Sequence, residues 1–141
     1  MADVEGAAAK EANMASEKIM VVDDHRQYLE LVGIHLKSLG WEVIPASNGR
    51  EALEKARTIR PSLIVLDMEM PEMDGFEVAR YLKEDPNCWD IPVLAATALA
   101  MPKDRERCLA AGCIDYISKP FTPQDLQARV TRLLSASSPP A

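Results

Sequence analysis

Cysteine is scarce and unpatterned in this chain: Cys88, Cys108 and Cys113 make an odd count with no CxxC spacing. That argues against a disulfide framework and against a cysteine zinc site, and it suits a reducing, cytoplasmic compartment. Each of the three reads as a small buried apolar residue. Long hydrophobic runs are also missing, with nothing approaching the roughly 18 continuous apolar residues of a membrane span. No basic segment followed by an apolar core opens the chain, so no secretory signal is expected. Positive charge is in deficit, with 16 basic residues against 22 acidic and a net charge of −6. Neither nucleic acid nor an anionic membrane is therefore an expected partner.

What is present fits one domain. A chain of 141 residues with an apolar fraction of 48% can bury a real core. Residues 1–17 are Ala-rich and polar without an apolar period, which predicts a disordered leader. Residues 18–135 carry all the periodic pattern, and a short flexible Ser/Pro tail is expected over 136–141, with no appended output domain.

Five short apolar runs punctuate the chain. Ile19 to Val22 reads as a first strand, Trp41 to Ala46 as a second and Leu63 to Leu66 as a third. Pro92 to Ala96 and Ile114 to Ser118 read as the fourth and fifth. Short runs rich in Val and Ile, without alternation, fit strands of a parallel sheet buried on both faces. Between them lie helical spacings. Leu29, Val32, Leu36 and Leu39 precede a C-capping Gly40, and Ala52, Leu53, Ala56 and Ile59 stop before Pro61. Val78, Ala79 and Leu82 mark a third helix, Lys103 to Ala111 a fourth closed by Gly112, and Pro123 to Leu134 a fifth. Strand and helix in strict alternation with short connections predict an α/β fold, a doubly wound five-stranded parallel sheet. Pattern alone does not give the strand order.

The chemistry lies at the strand ends. Four of the five runs end on a reactive polar group: Asp23 with Asp24, Asp67, Thr97 and Lys119. Parallel strands present their carboxyl ends on one edge, where open α/β sheets bind ligands, so these groups can converge in one crevice. Two carboxylates about 4 Å apart repel by roughly 4 kcal/mol at an effective dielectric near 20. Three together call for a bound cation or a retained proton. Hard oxygen donors select Mg²⁺, or Mn²⁺. A divalent cation, a lysine and a hydroxyl would stabilise the spread charge of a phosphoryl group, with a carboxylate as its nucleophile. His25 reads as a helix-start residue and His35 as a mid-helix one, not as phosphodonors. Met68, Met70 and Met73 read as loop packing. Lys103, Arg105 and Arg107 read as a solvated helix face.

From about residue 17 to 135 the chain resembles a response-regulator receiver domain of two-component signalling. The resemblance rests on Val-Val-Asp-Asp at 21–24, Leu-Asp-Met-Glu-Met-Pro-Glu-Met-Asp-Gly at 66–75, Ala-Ala-Thr-Ala at 95–98 and Tyr-Ile-Ser-Lys-Pro-Phe at 116–121. It implies a flavodoxin-like (βα)5 fold with strand order 2-1-3-4-5. It implies that Asp67 is the phosphoacceptor, that Asp24 and Asp23 bind Mg²⁺ with the backbone carbonyl of Glu69, and that Lys119 is the family's lysine. Thr97 and Tyr116 fall at its switch positions, and Lys119–Pro120 at its cis peptide. The implied partners are a histidine kinase or histidine phosphotransfer protein upstream and a protein target at the fourth-helix and fifth-strand face. A stand-alone regulator of cell-cycle or developmental kinases is the expectation, with a receiver cut from a hybrid kinase or larger regulator as the alternative. A hydrolase with an aspartyl-phosphate intermediate would want a second Asp two residues after the nucleophile, where this chain has Glu69.

Overall fold

The apolar runs do become strands, and the computed structural model describes residues 17–99 and 101–137. In chain order the elements are β1 (Lys18–Val22), α1 (Arg26–Ser38), β2 (Glu42–Ala46), α2 (Gly49–Ile59) and β3 (Leu63–Asp67). Then come α3 (Gly75–Glu84), β4 (Val93–Thr97), α4 (Pro102–Ala110), β5 (Asp115–Ser118) and α5 (Pro123–Ser137). All strand pairings are parallel and the order is β2-β1-β3-β4-β5, the flavodoxin-like order. The expected leader over 1–17 falls almost wholly outside the described residues, as do 138–141 of the tail.

The pleat of the strands explains how one sheet makes two cores. Successive side chains point to opposite faces. Met20, Val22, Ile64, Leu66, Val93 and Ala95 pack with Ala52 and Ala56 of α2, Val78 and Leu82 of α3 and Cys108 of α4. Ile19, Val21, Leu63, Val65, Leu94 and Ala96 pack with Leu29, Val32 and Leu36 of α1 and Leu126 and Val130 of α5. The three inner strands are therefore apolar on both sides, as their unbroken runs predicted. The edge strand β2 tolerates Pro45, whose missing N–H would break a central ladder. The three cysteines are buried and unpaired.

Boundaries differ from the sequence pattern where burial and backbone pull apart. Trp41 is buried yet precedes β2, its N–H bonded back to the Leu36 carbonyl at the end of α1. Ile114 is exposed and precedes β5, so an apolar side chain there signalled a strand position that the backbone does not occupy. Helix α5 runs to Ser137, past the predicted end at Leu134, because Ser135 does not break a helix and the prolines lie further on. Helix α2 ends on Arg60 in the left-handed region, at φ 54, without the usual glycine.

Strand β3 and helix α3 are locked together at the point where the site lies. Asp74 caps α3 by accepting from the Glu77 N–H at 3.0 Å, and the Gly75 N–H donates to the Met68 carbonyl at 3.2 Å. A Cβ on Gly75 would lie 2.6 Å from both the Asp67 carbonyl oxygen and the Met68 Cα. Neither is the end of a flexible side chain, so the backbone itself would have to move. Gly75→Ala should therefore destabilise the fold by about 1–3 kcal/mol, the usual cost of overpacking, read as a lower urea midpoint with an unchanged m-value.

Candidate functional site

Asp23 follows β1 and Asp67 ends β3, and these adjacent central strands flank the point where the strand order reverses. Both carboxylates are withdrawn from solvent, with Asp23 2% and Asp67 1% exposed. Lys119, just after β5, reaches between them: its Nζ lies 3.2 Å from Asp23 Oδ2 and 3.1 Å from Asp67 Oδ1. The same Asp67 Oδ1 accepts the Glu69 N–H at 3.0 Å. Asp67 Oδ2 is buried and has no hydrogen-bond partner. A buried carboxylate oxygen left unpaired costs desolvation that nothing in the protein offsets, which marks where a ligand would sit.

The charges respond to this arrangement. Burial pushes the Asp67 carboxyl up from an ordinary 3.8 to about 6, against the pull of the Glu69 N–H and of Lys119, with Asp23 adding to the rise. Burial also works against the Lys119 ammonium, but the Asp67 and Asp23 carboxylates outweigh it and hold its pKa above the ordinary lysine value. The Lys119 ammonium also lies over an aromatic face, with Nζ 5.3 Å from the centre of the Tyr28 ring, which in turn packs edge-on to Phe121 at 5.8 Å.

One ligand atom from each of Asp23, Asp24, His25 and Asp67 lies within 4.8 Å of all the others. Oxygen donors from three carboxylates, one of them holding an orphaned oxygen, suit a divalent cation. The structure thus brings Asp23, Asp24, Asp67 and Lys119 together as the strand ends foretold. Two further groups were not legible. His25 read as a helix-start residue, yet its Nδ1 sits 3.0 Å from Asp23 Oδ1 and 3.3 Å from Asp24 Oδ1. Only its position directly after the acid pair hinted at this. The Glu69 side chain also had no assigned role, and its Oε1 accepts the Ala98 N–H at 2.6 Å. That carboxylate is committed to the loop after β4, away from general acid or base work at Asp67.

Thr97 ends β4 and is buried, as the pattern placed it. Its Oγ1 accepts the Leu99 N–H at 2.9 Å and donates to the Leu99 carbonyl at 3.4 Å, so the hydroxyl is engaged with its own loop. Tyr116 is half-buried on the edge strand β5, its ring under the Arg105 guanidinium at 5.4 Å. Arg107 lies 4.1 Å over Phe76. The basic face of α4 is thus exposed but partly anchored on aromatic rings. The Lys119–Pro120 peptide is cis, as the resemblance implied. Met68 and Met70 are buried and Met73 packs against the core, in keeping with loop packing.

A flavodoxin-like sheet with two buried acids, a lysine between them and a hydroxyl at the next strand end has the layout of a receiver module. The response regulator receiver domain family matches residues 19–131, and the chain belongs to that family. The chain is 43% identical over 118 residues to the probable transcriptional regulator ycf27 of Pyropia yezoensis, a match covering 84% of this chain and 47% of that protein. It is 42% identical over 106 residues to the polar-differentiation response regulator DivK of Brucella anthropi, covering 75% of this chain and 86% of that one. The chain thus spans about half the length of the first of these relatives. Among solved structures it resembles the receiver domain of the sensor histidine kinase PA1611 of Pseudomonas aeruginosa. That likeness has a TM-score of 0.78 at 32% identity and covers 85% of this chain and 98% of that one. No helix among the described residues is long and apolar enough to cross a membrane.

The raised carboxyl of Asp67 gives a stability prediction with a definite sign. A carboxyl whose pKa is higher in the folded state than in the unfolded one stabilises the fold below the unfolded value, and that contribution is lost as pH rises through the folded value. For Asp67 the window runs from about 4 to about 6. Without divalent cations, Asp67→Asn should be more stable than the parent at pH 7.5, by on the order of 1–3 kcal/mol. The gain should shrink toward zero as pH falls below 4, and urea denaturation at both pH values checks it.

Proposed function

We propose that this chain accepts a phosphoryl group on Asp67 from the phosphohistidine of a histidine kinase or histidine phosphotransfer protein, and that the modification alters binding to a downstream protein. The observation that carries the reading is the Asp67 carboxylate: buried, one oxygen held by Lys119 and the Glu69 N–H, the other unpartnered. In the transfer an Asp67 oxygen forms a bond to phosphorus while the phosphorus–nitrogen bond breaks, and the electron pair of that bond returns to the donor imidazole. Lys119, already within reach of Asp67, moves its charge onto the incoming phosphoryl oxygens.

Asp24, Asp23, Asp67 and the Glu69 carbonyl would hold the divalent cation, Mg²⁺ or Mn²⁺. When bound, the cation offsets the charge that builds on the transferring oxygens. A magnesium ion is coordinated in the active-site cleft of the PA1611 receiver domain, which supports this cofactor. Thr97 then exchanges Leu99 for the acyl phosphate, and Tyr116 follows into the space it leaves. The α4 and β5 surface changes shape for its target. The same residues admit water for self-dephosphorylation. The receiver unit spans residues 18–135 and works in the cytoplasm. The relative ycf27 is about twice as long as the matched region, so an identical phosphotransfer would also serve a receiver inside a larger regulator or hybrid kinase.

Intact-mass measurement after incubation with acetyl phosphate and Mg²⁺ tests this directly. One added phosphoryl group is expected, dependent on Mg²⁺ and absent in Asp67→Ala. An adduct that survives Asp67→Ala would overturn the assignment of the acceptor. Failure to form an adduct together with failure to bind beryllofluoride would overturn the phosphotransfer reading.

A further inference from the structure

We propose that His25 supplies a nitrogen ligand to the cation site of Asp23, Asp24 and Asp67, which raises the affinity of this site for borderline first-row transition ions relative to Mg²⁺. The inference rests on the reading of those carboxylates as a cation site.

Local structure puts the imidazole where a ligand would be. His25 is the N-cap residue of α1, with extended backbone at φ −90 and ψ 102, but its side chain makes no capping hydrogen bond to the helix. Its backbone N–H donates to Asp23 Oδ1 at 2.9 Å, which closes a tight turn over the acid. The turn folds the ring back, so that Nδ1 faces both Asp23 Oδ1 and Asp24 Oδ1. The four ligand atoms, three carboxylate oxygens and one imidazole nitrogen, all lie within 4.8 Å of one another. Opposite ligands of an octahedral ion with bonds near 2.1 Å stand about 4.2 Å apart, so small side-chain shifts close the set around one ion.

The unpartnered Asp67 Oδ2, on a side chain almost wholly buried, points independently to a ligand at this spot. Charge agrees: three carboxylates face one lysine, leaving a deficit of two positive charges that a dication fills.

The nitrogen sets how dications rank at the site. Mg²⁺ is a hard ion served by oxygen, and a fourth oxygen donor or a water would suit it as well as imidazole. Imidazole suits nickel, zinc, copper and iron, and affinity for N/O sites rises along the series from Mn²⁺ to Cu²⁺. With the side chain 71% exposed, Nε2 can carry the ring proton in water while the Nδ1 lone pair faces the ion. The bland alternative is an imidazole that merely pairs with the two carboxylates and turns aside when a cation enters. The two readings differ in whether nitrogen is bonded to the metal.

Two measurements on the full chain separate them. Electron spin-echo spectroscopy of the Mn²⁺-loaded protein should show modulation from a coordinated ¹⁴N that is absent in His25→Gln and retained in His35→Gln, the chain's only other histidine. Calorimetric titration should show Ni²⁺ binding tighter than Mg²⁺. In His25→Gln the Ni²⁺ affinity should fall about tenfold or more while Mg²⁺ changes by less than about threefold. Asp24→Ala should weaken both ions, which places them at this site. Binding of Mg²⁺ and Mn²⁺ with no nitrogen modulation, or an unchanged Ni²⁺ to Mg²⁺ ratio in His25→Gln, overturns the role of His25 and leaves the carboxylate site standing. Failure of every ion to bind overturns both.

Discussion

Two carboxylates buried side by side, with one lysine to answer them, set the terms for the rest of the molecule. Taking an ion out of water costs several kcal/mol even after relaxation, and like charges at this range add to the cost. Lys119 bridges Asp23 and Asp67 at 3.2 and 3.1 Å, which offsets one of the two charges and leaves the other. The upward shift of Asp67 expresses that residue of unfavourable energy. A site built this way is poised to gain from any group that brings positive charge or hydrogen-bond donors to it.

Such a site has to be held in place by something that does not relax. The sheet does this because β1, β3 and β4 are packed on both faces, so that the strand ends carrying Asp23, Asp67 and Thr97 cannot drift apart without opening one of two cores. Gly75 adds a direct clamp, since its missing side chain lets α3 rest on the backbone of Asp67 and Met68. Glu69 then ties Asp67 to the loop after β4. Its N–H holds Asp67 while its carboxylate holds the Ala98 N–H, so one residue touches both the end of β3 and the loop after β4.

Much of this could be read from residue order. Unbroken apolar runs ending on Asp and Thr gave the inner strands and the acidic crevice, because a strand buried on both faces has no other pattern available. The strand order came from family resemblance, since hydrophobic pattern says which residues are buried and nothing about which strands are neighbours. Edges were harder. Trp41 and Ile114 are apolar residues beside strands, and hydrophobicity alone does not separate a buried cap from an exposed flank. His25 and the Glu69 carboxylate were missed for a different reason. Their roles depend on the direction a side chain takes after a tight turn, and spacing along the chain does not encode that.

The Thr97 hydroxyl shows how a small energy difference could make this arrangement switchable. In the present structure it accepts the Leu99 N–H, a neutral hydrogen bond of the kind that contributes about 0.5–1.5 kcal/mol net. On the proposed reading a phosphoryl group on Asp67 would add about −1.5 to −2 units of charge and three strong acceptors nearby. A hydroxyl donating to such an anion makes a bond worth roughly twice a neutral one. The difference is on the order of 1 kcal/mol, about a fivefold shift between the two positions of the hydroxyl. One bond alone therefore tilts the loop without committing it. Full conversion would need the Lys119 and Tyr116 contacts to change in the same direction, and the ring of Tyr116, already half-buried beneath Arg105, is placed where such a change would alter the exposed α4 and β5 face.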